Sequence, residues 1–374
     1  MTVEVDRIAA DFAAKNWSSD PFGRFLAAYE SDVTVAWHLV SVGLERYTEG
    51  GTLFDLGLGL LPFVEFEETV SVALETLTTG KHHNFAERRG APDKETDWLN
   101  AIISMSTTSQ SLKALLCLFE TRRPRALETA VSRVQHVVPP HPTLSYLHQV
   151  GFSNPNEQLY SEDIMHCIFP AGYLSEDGPV WVRRVHPSWT TFSTVAVAPF
   201  GGEASGTCGL CRGALARLLR LPPVVGPEGV ETTIAVCMSC LGWELSPLFY
   251  HHETADDVTP LHSRSEPITP KFPGAPLAEC VVQLSVTPSR WAWQDWALSN
   301  SRENLHRVRG HPTWIQSAEY PSCPICKATM KFLLQLDSEL PQTDGEDWLW
   351  GSGGILYVFW CSRCRVSGIF WQCT

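Results

Sequence analysis

The sequence predicts an α+β protein in which an irregular α-helical array over residues 1–138 precedes a β-rich region laid out on a duplicated plan. Three observations predict it. Apolar residues before position 138 recur at the 3.6-residue helical period. Eight of the twelve cysteines form four CxxC pairs, all after position 200. Short runs of β-branched and aromatic residues, bounded by Gly and Pro, adjoin those pairs and read as strands.

In the helical part, Val33, Ala36, Trp37, Val40 and Leu44 would line one apolar face. Glu65 to Thr79 reads as a second helix, with Glu65, Glu67 and Glu68 in its first turn and Gly80 just past its end. Carboxylates there complement the helix dipole, which is a better account of them than metal ligation. Asp93–Met105, Ser109–Thr121 and Arg125–Val137 follow, punctuated by Pro124 and halted by Pro139-Pro140. Helices of this length on short turns suggest stacked hairpins, in the manner of an irregular solenoid. No fixed sequence period supports a named repeat. Such an array presents a partner-binding surface; a compact bundle without a binding role is the plainer alternative.

Residues 139–178, rich in Pro, Gly, Asn and Ser, read as a connector. His136, His141, His148 and His166 stand at no ligand spacing to a cysteine pair and read as ordinary histidines. A first unit, residues 179–248, runs from the strand-like Val180–Val185 through His186-Pro187-Ser188-Trp189 to Cys208/Cys211, the strand Thr232–Val236, and Cys237/Cys240. Residues 249–304 read as a loop-rich linker that ends in the aromatic run Trp291–Trp296. A second unit, residues 305–374, repeats the order: His311-Pro312-Thr313-Trp314, Cys323/Cys326, two apolar runs, then Cys361/Cys364.

Each set of two CxxC pairs describes a zinc ribbon, in which paired strands bring two knuckles together around one tetrahedral ion. The expected ligands are Cys208, Cys211, Cys237 and Cys240 for one Zn²⁺, and Cys323, Cys326, Cys361 and Cys364 for the other. The gaps between pairs are 25 and 34 residues, longer than usual, but a long loop between paired strands does not separate their bases. A redox dithiol of the thioredoxin kind would sit at the head of a helix, whereas these pairs adjoin strands. Four thiolates close the coordination shell, so both ions are expected to be structural. Cys117, Cys167, Cys280 and Cys373 are scattered. His251-His252 with Asp256 and Asp257 is a weaker, mixed-ligand candidate, and adjacent histidines in a polar loop usually face solvent.

Composition excludes several classes. A formal net charge of −13 with no basic stripe argues against nucleic acid as partner. Leu53–Val64, the longest apolar stretch near the N-terminus, is broken by Asp55 and Pro62 and is too short to span a bilayer. No signal peptide is visible, so a cytoplasmic protein without a membrane partner is expected. Gly351-Ser352-Gly353-Gly354 lacks the Lys-Ser/Thr and following helix of a phosphate loop and reads as a hairpin loop. Neither GxSxG nor HExxH occurs.

Leu334-Gln335-Leu336-Asp337-Ser338, followed by Trp350-Gly-Ser-Gly-Gly-Ile-Leu-Tyr-Val-Phe359, resembles the core of the YwqG-like domain. Gly310-His311-Pro312-Thr313-Trp314 resembles that family's Gly-Gly-x-Pro turn, with His311 in place of the second Gly. The added cysteine pairs resemble the related programmed-cell-death-2 group, built from related halves, whose members chaperone a ribosomal protein. The resemblance covers roughly residues 305–365. It implies a β-rich domain of a kind that recurs among bacterial immunity proteins, and it carries no catalytic residues.

Together these features predict no enzyme. They predict a protein-binding protein, an immunity protein occluding a cognate toxin, with an acidic surface that would steer a basic partner. The alternatives are a dedicated chaperone for a basic client such as a ribosomal protein, and an enzyme using a groove between domains.

Overall fold

In the computed structural model the described residues are those of 2–39 and 93–174, each with gaps, and 194–287 and 304–374 without gaps. The chain divides into two compact units. One comprises residues 1–150, 179–181 and 289–293; the other comprises 151–178, 182–288 and 294–374.

The described helices of the first unit are α1 (Thr2–Ala13), α2 (Asp93–Met105), α3 (Thr108–Thr121) and α4 (Pro124–Val137). Pro124 opens α4, where its missing N–H costs no helical bond. Leu99 and Ile103 of α2, Leu115 and Leu118 of α3, and Leu127, Ala130 and Val134 of α4 are buried at helical spacing. Ser111 Oγ of α3 donates to Ile103 O at 3.1 Å, and Arg133 Nε of α4 donates to Asn100 Oδ1 at 3.2 Å, which ties both helices to α2. Of the helix expected around Val33–Leu44 only Val35, His38 and Leu39 are described, and Glu65–Thr79 lies outside the described residues. The helical array as a whole is therefore not defined by them. None of the described helices is long and apolar enough to cross a membrane.

The second unit is built on one twelve-stranded antiparallel sheet. Its strands in chain order are β3 (Ile164–Ile168), β4 (Thr194–Phe200), β5 (Glu203–Thr207), β6 (Ala214–Leu221), β7 (Thr232–Val236), β8 (Leu248–His252), β9 (Val258–Pro260), β10 (Cys280–Val286), β11 (Arg307–Arg309), β12 (Lys331–Asp337), β15 (Ile355–Cys361) and β16 (Val366–Gln372). Two small ribbons stand apart, β1 (Phe152–Asn154) with β2 (Glu157–Gln158), and β13 (Leu340–Pro341) with β14 (Asp347–Trp348). The spatial order is β5-β6-β4-β10-β3-β11-β12-β15-β16-β8-β9, with β7 also paired to β6. The sheet curls until its two ends approach. Ser205 Oγ of β5 bonds to Asp256 O just before β9, and Thr233 N of β7 donates to Ala255 O at 2.9 Å.

Side chains alternate across this sheet and feed two cores. Leu356, Val358 and Trp360 of β15 join the larger core inside the curl, with Leu334 and Leu336 of β12 and Ile369 of β16. Ile355, Tyr357, Phe359 and Cys361 point the other way into a second core, covered by Leu305, Trp314, Tyr320, Cys323 and Met330.

The structure departs from the expected layout in two places. The connector contributes β3, which lies between β10 and β11, and the linker contributes β8, β9 and β10. The two halves are thus interleaved, with β16 pairing β8 through Val366↔His251 and Ile369↔Leu248. The physical reason is burial. A two-stranded ribbon with apolar residues on both faces cannot stand alone and must be absorbed into a larger sheet. The strand expected at Val180–Val185, the His186–Trp189 turn and the Trp291–Trp296 run lie outside the described residues.

Trp314 is 6% exposed and packs on Tyr357, Tyr320 and Phe359 at ring distances of 5.0, 5.4 and 6.0 Å. Trp314→Ala is expected to cost about 3–5 kcal/mol, the range for deleting a large buried aromatic. Urea unfolding midpoints of the two proteins measure it.

Candidate metal centres

Each cysteine pair occupies a turn whose backbone is folded back by its own hydrogen bonds. Cys208 and Cys211 lie in the turn between β5 and β6, where Cys208 N donates to Gly213 O at 2.8 Å and Arg212 N to Cys208 O at 3.0 Å. Cys323 and Cys326 repeat that geometry: Cys323 N donates to Ala328 O and Lys327 N to Cys323 O, both at 2.9 Å. Cys361 and Cys364 cap the β15–β16 hairpin, and Cys237 and Cys240 follow β7. Arg212, Lys327 and Arg365 each follow a second cysteine and have φ of 66°, 63° and 50°. This left-handed step turns the chain back after the knuckle and leaves both sulfurs on its inner side.

The result is two tetracysteine groups, Cys208/Cys211/Cys237/Cys240 and Cys323/Cys326/Cys361/Cys364. The four sulfurs of each lie within 4.8 Å of one another, and each group can hold a metal ion. All eight cysteines are free of disulfides. Cys211 Sγ is 3.6 Å from Cys237 Sγ, as Cys326 Sγ is from Cys361 Sγ. Backbone N–H groups aim at the sulfurs: Leu210 N reaches Cys208 Sγ and Gly213 N reaches Cys211 Sγ, both at 3.4 Å. Such donors favour thiolate over thiol.

The two groups differ in exposure. In the first group Cys211 alone is partly exposed and the other three are buried, whereas in the second both Cys326 and Cys364 are partly exposed, with Ile325 beside Cys326 exposed as well. A hydrogen bond from Cys237 holds Cys208 down at about 5, and the same bond pushes the Cys237 thiol far up. The Ala328 N–H holds Cys326 down at about 7, while burial pushes Cys361 up to about 12. Without an ion the sulfurs share protons, because four thiolates in one place repel. A divalent cation removes that repulsion and displaces the protons, so its binding weakens as pH falls.

Cys117, Cys167, Cys280 and Cys373 join neither group. The mixed candidate is spoken for elsewhere. His252 is buried with Nε2 2.9 Å from Ser367 Oγ, and Asp256 accepts from Arg220 and Thr233. Among the described residues no further set of three or more His, Cys, Asp or Glu side chains converges on a metal position.

Sequence reasoning missed a buried polar cluster around β11 and β12. Arg307 is fully buried, and its Nη2 bonds to His311 O and to Thr313 Oγ1. Gln335 Oε1 accepts Thr313 N at 2.8 Å while its Nε2 donates to Leu305 O at 3.0 Å. Tyr357 OH donates to Thr313 O at 2.7 Å. Asp337 O accepts Trp350 Nε1 at 3.0 Å, and Ser338 Oγ donates to Gly354 O at 2.8 Å. The Gln335 and Ser338 side chains and the Asp337 carbonyl therefore fix the Gly310–Trp314 turn and the Trp350–Gly354 loop. Gly310, at φ 77°, is tight enough that a Cβ would stand 2.6 Å from Ile164. The signal was present, since Gln335 and Asp337 are polar within a run of otherwise apolar strand residues.

A 68-residue stretch is 40% identical to the uncharacterized protein YpfL of Salmonella typhimurium strain LT2. It covers 18% of this chain and 15% of that protein, a small part of either. No known family profile matches the chain, and no solved structure matches it.

Cys326→Ser is expected to release half of the bound metal while leaving the first group loaded, and acidification is expected to release the rest. Elemental analysis of the desalted protein, before and after a pH step, checks both.

Proposed function

We propose that this protein is a non-enzymatic protein-binding protein whose β-rich unit is held by two structural zinc ions. The observation that carries the reading is the pair of tetracysteine groups at turns of a single sheet. A tetrahedral all-sulfur set suits zinc, and four protein ligands leave no position for water or substrate. The ions then act as part of the fold. The formal net charge of −13 favours a basic protein partner, whose encounter it would accelerate.

Within that class, the resemblance of the Leu334–Ser338 and Trp350–Phe359 segments to YwqG-like domains supports an immunity protein that occludes a basic toxin. The same charge suits a chaperone for a basic client, which would be recovered as an intact complex from the native host. Occlusion consumes one protector for each toxin. Protection in co-expression assays with neighbouring gene products is therefore expected to titrate at equivalence, to weaken at high salt, and to vanish when zinc is stripped. Protection by a small fraction of an equivalent would sink occlusion and point to catalysis.

A further inference from the structure

Close to the Cys237/Cys240 knuckle, two exposed aromatic side chains meet a third that is partly buried against the inner core. Trp243 is 39% exposed and Phe272 is 42% exposed, with ring centres 4.5 Å apart and planes tilted by 46°. Trp371 of β16 continues the row, 5.3 Å from Trp243 at a tilt of 56°. The row is held from beneath. Trp371 Nε1 donates to Leu241 O at 3.1 Å, and a Cβ on Gly242 would stand 2.2 Å from the Trp371 ring. Rings fixed in this way offer apolar contact area without a large ordering cost on binding.

Exposed carboxylates lie on a turn tied to the chain just after Phe272, and one exposed cation, Lys271, stands at the Phe272 ring. The turn between β13 and β14 exposes Asp344, Glu346 and Asp347. It is pinned to the segment that follows Phe272: Gln342 Nε2 donates to Ala275 O at 2.6 Å and Thr343 N to Pro276 O at 2.9 Å. Glu244, next to Trp243, accepts the Lys271 backbone N–H at 3.2 Å. Lys271 Nζ lies 5.2 Å from the Phe272 ring centre, so this ring face is already within reach of a cation.

We propose that this surface binds an extended, arginine-rich segment of a protein partner, its guanidinium planes stacking on Trp243, Phe272 and Trp371 and pairing with Asp344, Glu346 and Asp347. Arginine alone among side chains combines a stacking plane, a permanent charge and a fork that fits carboxylates. The two ring spacings together reach about 10 Å, the length of about three extended residues. The tilt between rings leaves wedges for side chains and not the shared flat platform that stacked bases require. The Asp344, Glu346 and Asp347 carboxylates repel phosphates, and with a chain charge of −13 they also oppose a second copy of this protein. The inference rests on the binding reading above only in naming the chemistry of a partner segment; its evidence is separate.

Fluorescence anisotropy of a fluorescein-labelled dodecapeptide of alternating Arg and Gly, titrated with the full-length metal-loaded protein, tests it. Trp243→Ala and Phe272→Ala, both at exposed positions, are expected to weaken binding roughly tenfold or more. The triple variant Asp344→Asn, Glu346→Gln, Asp347→Asn is expected to weaken it too and to flatten its salt dependence. Unchanged metal content and circular dichroism show that each variant is folded. The proposal is overturned if folded variants bind like the parent, if an alternating Glu–Gly peptide binds equally well, if an oligosaccharide displaces the peptide, or if a labelled oligonucleotide titrated alone binds the protein as tightly. Peptide capture without toxin protection would sink occlusion and leave this surface standing. Protection with peptide binding indifferent to Trp243→Ala would do the reverse.

Discussion

All seven residues of β15 are buried, and that requirement shapes the second unit. A strand with apolar side chains on both faces needs a core on each side. The inner core is supplied by the curl of the sheet itself, which brings β5 and β7 round to the approach of β9. The outer core has no second sheet to cover it. Residues 310–330 do so, an irregular segment that brings Trp314, Tyr320 and Met330 over Tyr357 and Phe359. An irregular cover carries many backbone polar groups into a buried place, and each of these needs a partner.

That need explains the polar cluster and the position of the second cysteine group. Arg307, Gln335 and Tyr357 reach into the cover and bond to His311 O, Thr313 N and Thr313 O, which are groups a regular strand would have satisfied by pairing. Burying an arginine is costly unless its donors are used. Cys323 and Cys326 fasten the far end of the same segment beside Cys361 and Cys364 at the tip of the β15–β16 hairpin. The cover is thus held by polar bonds at one end and by a metal-binding group at the other. The first group does comparable work at the inner core, joining the β5–β6 turn to the chain after β7.

The sequence was most legible where its signals are local. Four CxxC pairs announce themselves because two ligands sit three residues apart, and each pair does fall in a turn beside a strand. The bounds of α2, α3 and α4 could be read because Pro124 and Pro139-Pro140 punctuate an amphipathic pattern. β3 and β10 were missed for the opposite reason. Ile164–Ile168 is five residues long in a stretch rich in Pro and Gly, and its partners are β10 and β11, with Gln283 opposite Ile168 and Arg307 opposite His166. Nothing within a local window reports a pairing across more than a hundred residues. The apparent repeat of His-Pro-x-Trp and CxxC encouraged a division into two units, whereas the strand pairing follows burial and crosses that division.

The ligands of each cysteine group lie close in sequence, within residues 208–240 and 323–364. The sheet around them is assembled from distant strands, and its two halves are joined when β11 pairs with β3 and β16 pairs with β8. During synthesis these two kinds of contact become available at different times. Closing a short loop on an ion requires little chain, while the long-range pairings wait for residues that have not yet been made. A metal ion, if held by the first group, can therefore keep the β5–β7 hairpins in register before β10, β12 or β15 exists. Those hairpins would otherwise present unpaired edges to other nascent chains. In this light the first group, once loaded, is placed to act as a temporal clamp that keeps its hairpins shaped until the later strands arrive.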